Sequence, residues 1–170
     1  PGDMLDPRVA FGEGYGNAFS AITFDNSVYI DTYGTRQASG FSINVASAPS
    51  SDQDRGIYSE KSAQYFLWKL YDNHSRSFQR IDYVLRNYQK SSSALTSLLT
   101  FASYYNKLYG GAADNLQTLW TSATTLNLPY NALCAGTCSG SGDTEDPFDK
   151  DGDLGAALAA SSRTYSVTVY

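Results

Sequence analysis

Apolar residues recur at steps of three and four through most of the first 126 positions, which is the period of helices that bury one face. Asp6-Pro7 reads as a helix start, with an acid at the N-cap and proline in the first turn. Phe11, Tyr15, Ala18, Phe19 and Ile22 then form one apolar stripe, so a helix is expected from there to about Phe24. From Gly56 the period returns in Ile57, Ala63, Phe66, Leu67 and Leu70, predicting a helix that ends near Asn73. Phe78, Ile81, Val84, Leu85 and Tyr88 mark another. Leu95, Leu98, Leu99, Ala102 and Tyr105 place the next over Ser93 to Tyr109, stopped by Gly110-Gly111. Leu116, Leu119, Trp120 and Ala123 predict one over Ala112 to about Leu126, with Pro129 beyond its end. Between the first two helices the pattern breaks. Residues 25 to 55 read as irregular, with a polar loop over Ser47 to Asp54; Val28 to Ile30 and Phe41 to Val45 fit either short strands or extended segments.

After residue 130 the chemistry changes. Residues 131 to 162 are rich in Gly, Ser and Asp and read as a linker, and 163 to 170 alternate through Tyr165, Val167 and Val169 as a strand does. The expected fold is therefore mostly α: a bundle-like helical unit over 1–130, the linker, and a short C-terminal strand that either opens a following domain or edges this one. The 170 residues suffice for one such core.

Composition narrows the function. A formal charge of −5 with no basic stripe argues against nucleic acid as a partner. No apolar run reaches the roughly 18 residues of a membrane span. Charged residues are only 17%, and 14 tyrosines with many serines carry much of the polarity, a balance that fits a secreted, periplasmic or cell-surface protein. Cys134 and Cys138 suit either a small-loop disulfide or a metal pair; a metal site wants more ligands nearby, which favours the disulfide. The chain opens at Pro1 without a methionine and reads as a piece of a longer precursor.

The densest chemical signal is Gly12-Glu13-Gly14-Tyr15-Gly16-Asn17-Ala18-Phe19-Ser20. Each glycine inside a helix costs roughly 1 kcal/mol relative to alanine, so three in five residues point to a backbone that something approaches closely or that must bend. Glu13 and Asn17, four apart, share one helix face. Glu60 falls on the apolar face of Ala63, Leu67 and Leu70. A carboxylate there needs a partner, so it reads either as a site acid pointing at the cleft beside Glu13 or as a helix-start glutamate helped by Ser59 and the helix dipole. His74 reads as a helix C-terminal cap, and Arg76, Arg80 and Arg86 as surface charges balancing Asp72 and Asp82. Asp149, Asp151 and Asp153 take positions 1, 3 and 5 of an EF-hand-like loop. Leu154 and Ala160 stand where that motif needs glycine and glutamate, leaving a looser calcium-binding linker or a solvated acidic one.

The segment at 12–20 resembles the Gly-Glu-Gly-Trp-x-Asp stretch of gluzincins, the zinc peptidases related to fungalysin and thermolysin. Val28-Tyr29-Ile30-Asp31, Gly56-Ile57-Tyr58-Ser59-Glu60 and Phe66-Leu67-Trp68-Lys69-Leu70-Tyr71-Asp72 look like the region after the third zinc ligand in bacterial secreted relatives, so the likeness covers about residues 6 to 88. It implies Glu13 as third zinc ligand, Asn17 as the outer brace of a zinc-bound histidine, Glu60 and Tyr58 lining the cleft with Tyr58 donating to an oxyanion, and a peptide as substrate. The chain departs from the family in two ways. Asn17 stands where the family has Asp, and there is no His-Glu-x-x-His, since His74 is the only histidine. The resemblance therefore implies a partner: an N-terminal half bearing His-Glu-x-x-His, without which this chain is inactive. The other reading is a non-catalytic extracellular binding or structural domain whose glycines serve internal packing.

Overall fold

The computed structural model describes residues 5–51, 54–92, 94–110 and 115–124. The linker with Cys134 and Cys138, the acidic run around Asp149 and the C-terminal strand expected at 163–170 lie outside these residues.

The fold is mostly α, as the periodicity predicts. Helix α1 is Pro7–Thr23, α2 is Glu60–Asn73, α3 is Gln79–Asn87, α4 is Leu98–Tyr109 and α5 is Leu116–Ala123. Asp6 caps α1 by accepting from the Arg8 backbone N–H at 2.9 Å. The start of α2 comes later than Gly56 because that residue has φ 132°, a conformation glycine tolerates, and because Ser59 supplies the cap. Helix α4 likewise starts at Leu98 rather than near Ser93. Ser97 caps it, and Thr100 Oγ1 donates to the Leu95 carbonyl at 2.6 Å, holding the preceding turn outside the helix. Leu95 is accordingly 45% exposed rather than on the buried stripe.

Residues 25–55 are more ordered than the broken pattern suggested. Strands β1 (Val28–Tyr33) and β2 (Ser39–Asn44) form an antiparallel hairpin in which Val28 faces Asn44 and Tyr33 faces Ser39. The hairpin is joined through a 3-10 turn at Thr35–Gln37, where Arg36 and Gln37 both take positive φ. Nearly every strand side chain is exposed, Tyr29 and Ile43 being the half-buried exceptions. This explains the missing alternation: with no buried face, the strands have no reason to separate apolar from polar positions.

Helix α2 is the spine. Nine of its 14 residues are buried. Helix α1 lies along it through a row of small residues, Ala10, Gly14, Ala18 and Ala21, all buried. Phe66 meets Trp120 of α5 edge-on, with ring centroids 5.7 Å apart, and Phe11 meets Phe101 of α4 at 5.8 Å. The Ser62 hydroxyl, wholly buried, donates to the Ala123 carbonyl at 2.6 Å and accepts the Gly56 N–H at 3.0 Å, tying the first turn of α2 to the end of α5. At the opposite end Tyr71 donates to Asp25 at 2.8 Å, and Arg76 pairs with the same carboxylate at 2.8 Å.

Candidate functional site

The α1–α2 crossing sets the geometry. A Cβ on Gly14 would sit 2.5 Å from the Glu60 carbonyl oxygen and 2.6 Å from Ala63 Cβ, so the helices touch backbone to backbone at this point. The contact brings the Glu60 side chain, in the first turn of α2, against Glu13, and the two carboxyls share a hydrogen bond. One turn along α1, Asn17 Nδ2 donates to Gln64 Oε1 at 3.1 Å, and Gln64 is itself buried. That bond commits the amide nitrogen and leaves Asn17 Oδ1 as the acceptor.

The opposite side of α1 is open. Where a Cβ would stand on Gly12 or Gly16 no atom of the described residues lies within 4 Å. Glu13 is exposed, and Val9 and Phe19 are 45% and 43% exposed along the same surface. Of the three glycines read as a close-approach signal, Gly14 alone serves the α1–α2 contact. Phe19 is likewise a correction. It leaves the predicted apolar stripe to stack on Tyr15 (5.6 Å) and lean on Phe78 (5.4 Å) while half open to solvent, because the small residues at 10, 14, 18 and 21 take the inner face instead.

Burial, then the hydrogen bond and the negative charge of Glu13, push the Glu60 carboxyl above its ordinary value. Ser59 caps the helix that Glu60 begins, as the helix-start reading expects, and the Glu60 carboxyl meets Glu13. Its raised folded-state pKa sets the sign of a pH effect. Stability contributed by Glu60 is fully present below the unfolded value of 4.5 and is lost as pH rises through the raised folded one. Asp6, held down to about 2 by Arg8, acts in the opposite sense between that value and 3.8. In Glu60→Gln the decline above pH 4.5 is expected to vanish, with a gain of about 0.5 kcal/mol at pH 7, the size of a partly screened like-charge contact. Melting curves from pH 4 to 7 measure this; a variant that parallels the parent throughout would mean that burial and the neighbouring Glu13 do not raise the Glu60 carboxyl.

Tyr29 at the base of the hairpin joins this neighbourhood. Burial raises its hydroxyl pKa, with Asp31 and Glu60 adding to the effect. Tyr58 lies two residues before Glu60, half-buried, its carbonyl accepting the Leu5 N–H at 3.0 Å. Sequence patterns point to Glu13, Asn17 and Glu60 but not to Gln64, Tyr29 or Asp31. Gln64 sits four residues after Glu60, the helical spacing that Asn17 has from Glu13, and that matched spacing is the signal that would have found it.

His74 belongs elsewhere. It caps the C-terminus of α2, its backbone N–H donating to Tyr71 and its ring meeting Arg80, which also lies over the Tyr109 ring at 4.7 Å. Glu60 and His74 bracket a 14-residue helix, a separation of roughly 20 Å at 1.5 Å per residue. Arg86 pairs with Asp82 at 2.7 Å and Arg76 approaches Asp72 at 3.8 Å, as expected of surface charges. Among the described residues no group of three or more His, Cys, Asp and Glu is placed to hold a metal, and no helix is long and apolar enough to cross a membrane. Comparison with known protein families, characterised proteins and solved structures returns no match.

Proposed function

We propose that this chain is the C-terminal helical part of a secreted, gluzincin-like zinc peptidase, contributing one metal ligand and one side of the cleft to a site completed by a His-Glu-x-x-His segment. The observation that carries the reading is the Glu13 carboxylate, exposed although it meets Glu60 on one side, and flanked by Gly12 and Gly16, above which no described residue lies within 4 Å. A second helix can approach such a surface closely. The residues present fit one ligand of a His₂Glu set and no more, so both histidines come from outside.

Zinc in such a site polarises a peptide carbonyl and activates a bound water. Glu13 would hold the ion, its backbone fixed by the Gly14 contact. Asn17 Oδ1 accepts the N–H of a ligating imidazole, orienting the ring, while Gln64 holds the rest of the amide in place. Glu60 would stand beside Glu13 as a carboxyl lining the cleft. Tyr58 lines the cleft wall and donates to oxygen that gains negative charge as the carbonyl is attacked.

The polypeptide encoded ahead of Pro1 is expected to contain His-Glu-x-x-His within some tens of residues; its absence overturns the assignment and leaves a non-catalytic extracellular helical domain. In protein carrying both parts, Glu13→Gln is expected to weaken zinc binding about 100-fold in a chelator-competition titration, and Asn17→Ala about 10-fold. The 170-residue chain by itself is expected neither to cleave casein nor to retain zinc through gel filtration; casein cleavage by it alone contradicts the reading.

A further inference from the structure

The hairpin register sorts its side chains into two faces. Tyr29, Asp31 and Tyr33 of β1 share one with Ile43, Phe41 and Ser39 of β2. This face is anchored at its base, where Tyr29 packs against the core and stands in the field of Glu60. It is open further out, where Phe41 is 50% and Tyr33 60% exposed. It therefore runs outward from the Glu13–Glu60 pair as a strip of aromatic surface with Asp31, directly across from Phe41, set into it.

We propose that this strip is a recognition surface for an extended peptide carrying a basic side chain beside an aromatic or large aliphatic one, the basic group meeting Asp31 and the apolar one covering Phe41 and Tyr33. Charge complementarity selects this occupant. Asp31 and, at the base, Glu60 give the face its charge, the strand residues 28–33 and 39–44 include no Lys or Arg, Arg36 stands beyond them in the connecting turn, and Lys61 beside Glu60 is drawn off by Asp54 at 2.9 Å. The strip also suits an extended chain, since among the described residues the sheet has two strands, to whose outer edges a third strand can add. That such a peptide is a substrate rests on the peptidase reading; the contact itself does not.

The test uses the full 170-residue chain without metal, titrated by NMR with the capped peptide Ac-Ala-Lys-Phe-Ala-NH2, its Lys→Glu analogue and its Phe→Ser analogue. Amide shifts are expected to concentrate in residues 28–44, with the first peptide binding at least fivefold tighter than either analogue. Asp31→Lys is expected to reverse the Lys-over-Glu preference. Phe41→Ser is expected to abolish the Phe-over-Ser preference without moving the melting midpoint, the side chain being half in solvent. Equal binding of the three peptides, or shifts confined to other elements, overturns the proposal. So does hairpin broadening that grows with protein concentration in the absence of peptide, which would assign the face to a second copy of the chain. Since no step requires zinc, a missing His-Glu-x-x-His would remove the peptidase reading while leaving this result to be read on its own.

Discussion

The Gly14→Val variant is expected to lose about 3 to 4 kcal/mol of stability, while Gly12→Ala and Gly16→Ala are each expected to gain about 0.5 to 1 kcal/mol. The three glycines lie within five residues of one helix, so propensity treats them alike. Their surroundings do not. A Cβ at 14 meets the Glu60 carbonyl oxygen at 2.5 Å, Ala63 Cβ at 2.6 Å and the Gln64 amide nitrogen at 3.0 Å. Two of these are backbone atoms of α2, which cannot turn aside as a side chain can. Relief requires the two helices to separate along the Ala10–Ala21 row and unpack the small-residue interface. Gly14→Ala is milder, roughly 2 kcal/mol, because part of the overlap is offset by the propensity regained. At 12 and 16 nothing opposes a methyl group, so those substitutions keep the gain. Urea titrations of the four variants decide the matter; equal effects at all three positions would mean that α1 does not rest on α2 through Gly14. The series also separates two uses of glycine. If Gly12 and Gly16 admit an external helix, their alanine variants will stabilise this chain yet weaken its association with the His-Glu-x-x-His segment.

The helices were legible because each must bury one face against the others, which imposes the 3.6-residue period that the sequence displays. What was less legible has physical causes. Apolar periodicity puts the first turns of α2 and α4 too early because it continues through Ile57 and Leu95, whereas Ser59 and Ser97, through their side-chain caps, decide where helical hydrogen bonding begins. The inner face of α1 was misjudged at Phe19 because a close crossing selects small residues, and Ala10, Gly14, Ala18 and Ala21 carry little weight in a hydrophobicity pattern. The hairpin gave a weak signal because it is supported only at its base, through Tyr29 and Ile43. For the site, Glu13 and Asn17 could be placed on one face from spacing alone, and Glu60 could be suspected from its apolar neighbours. That Glu60 faces Glu13 needed the crossing point of two helices 47 residues apart, measured from Glu13 to Glu60, and no local pattern contains that.

Trp120→Ala is expected to cost about 3 to 5 kcal/mol, and Trp120→Phe only about 1. Trp120 is wholly buried and fills the space between α5 and the edge of Phe66 on α2. Its truncation leaves a cavity at the junction where Ser62 also binds the Ala123 carbonyl, so surrounding groups have little freedom to collapse into it. Phenylalanine keeps most of the ring contact. It also removes an indole N–H that finds no acceptor among the described residues, so nothing is lost on the polar side. Helix α5 has eight residues, too few to persist without burial, and losing Trp120 therefore releases the helix rather than one contact. The consequence reaches the site, because Ser62 is two residues from Glu60 and positions the first turn of α2. Hydrogen exchange at residues 60–64 should accelerate in Trp120→Ala while the amides of α3 change less. Should that variant melt within about 1 kcal/mol of the parent, α5 would not belong to the core that holds Glu60 against Glu13, and the rigidity of the carboxylate pair would have to come from the α1–α2 contact alone.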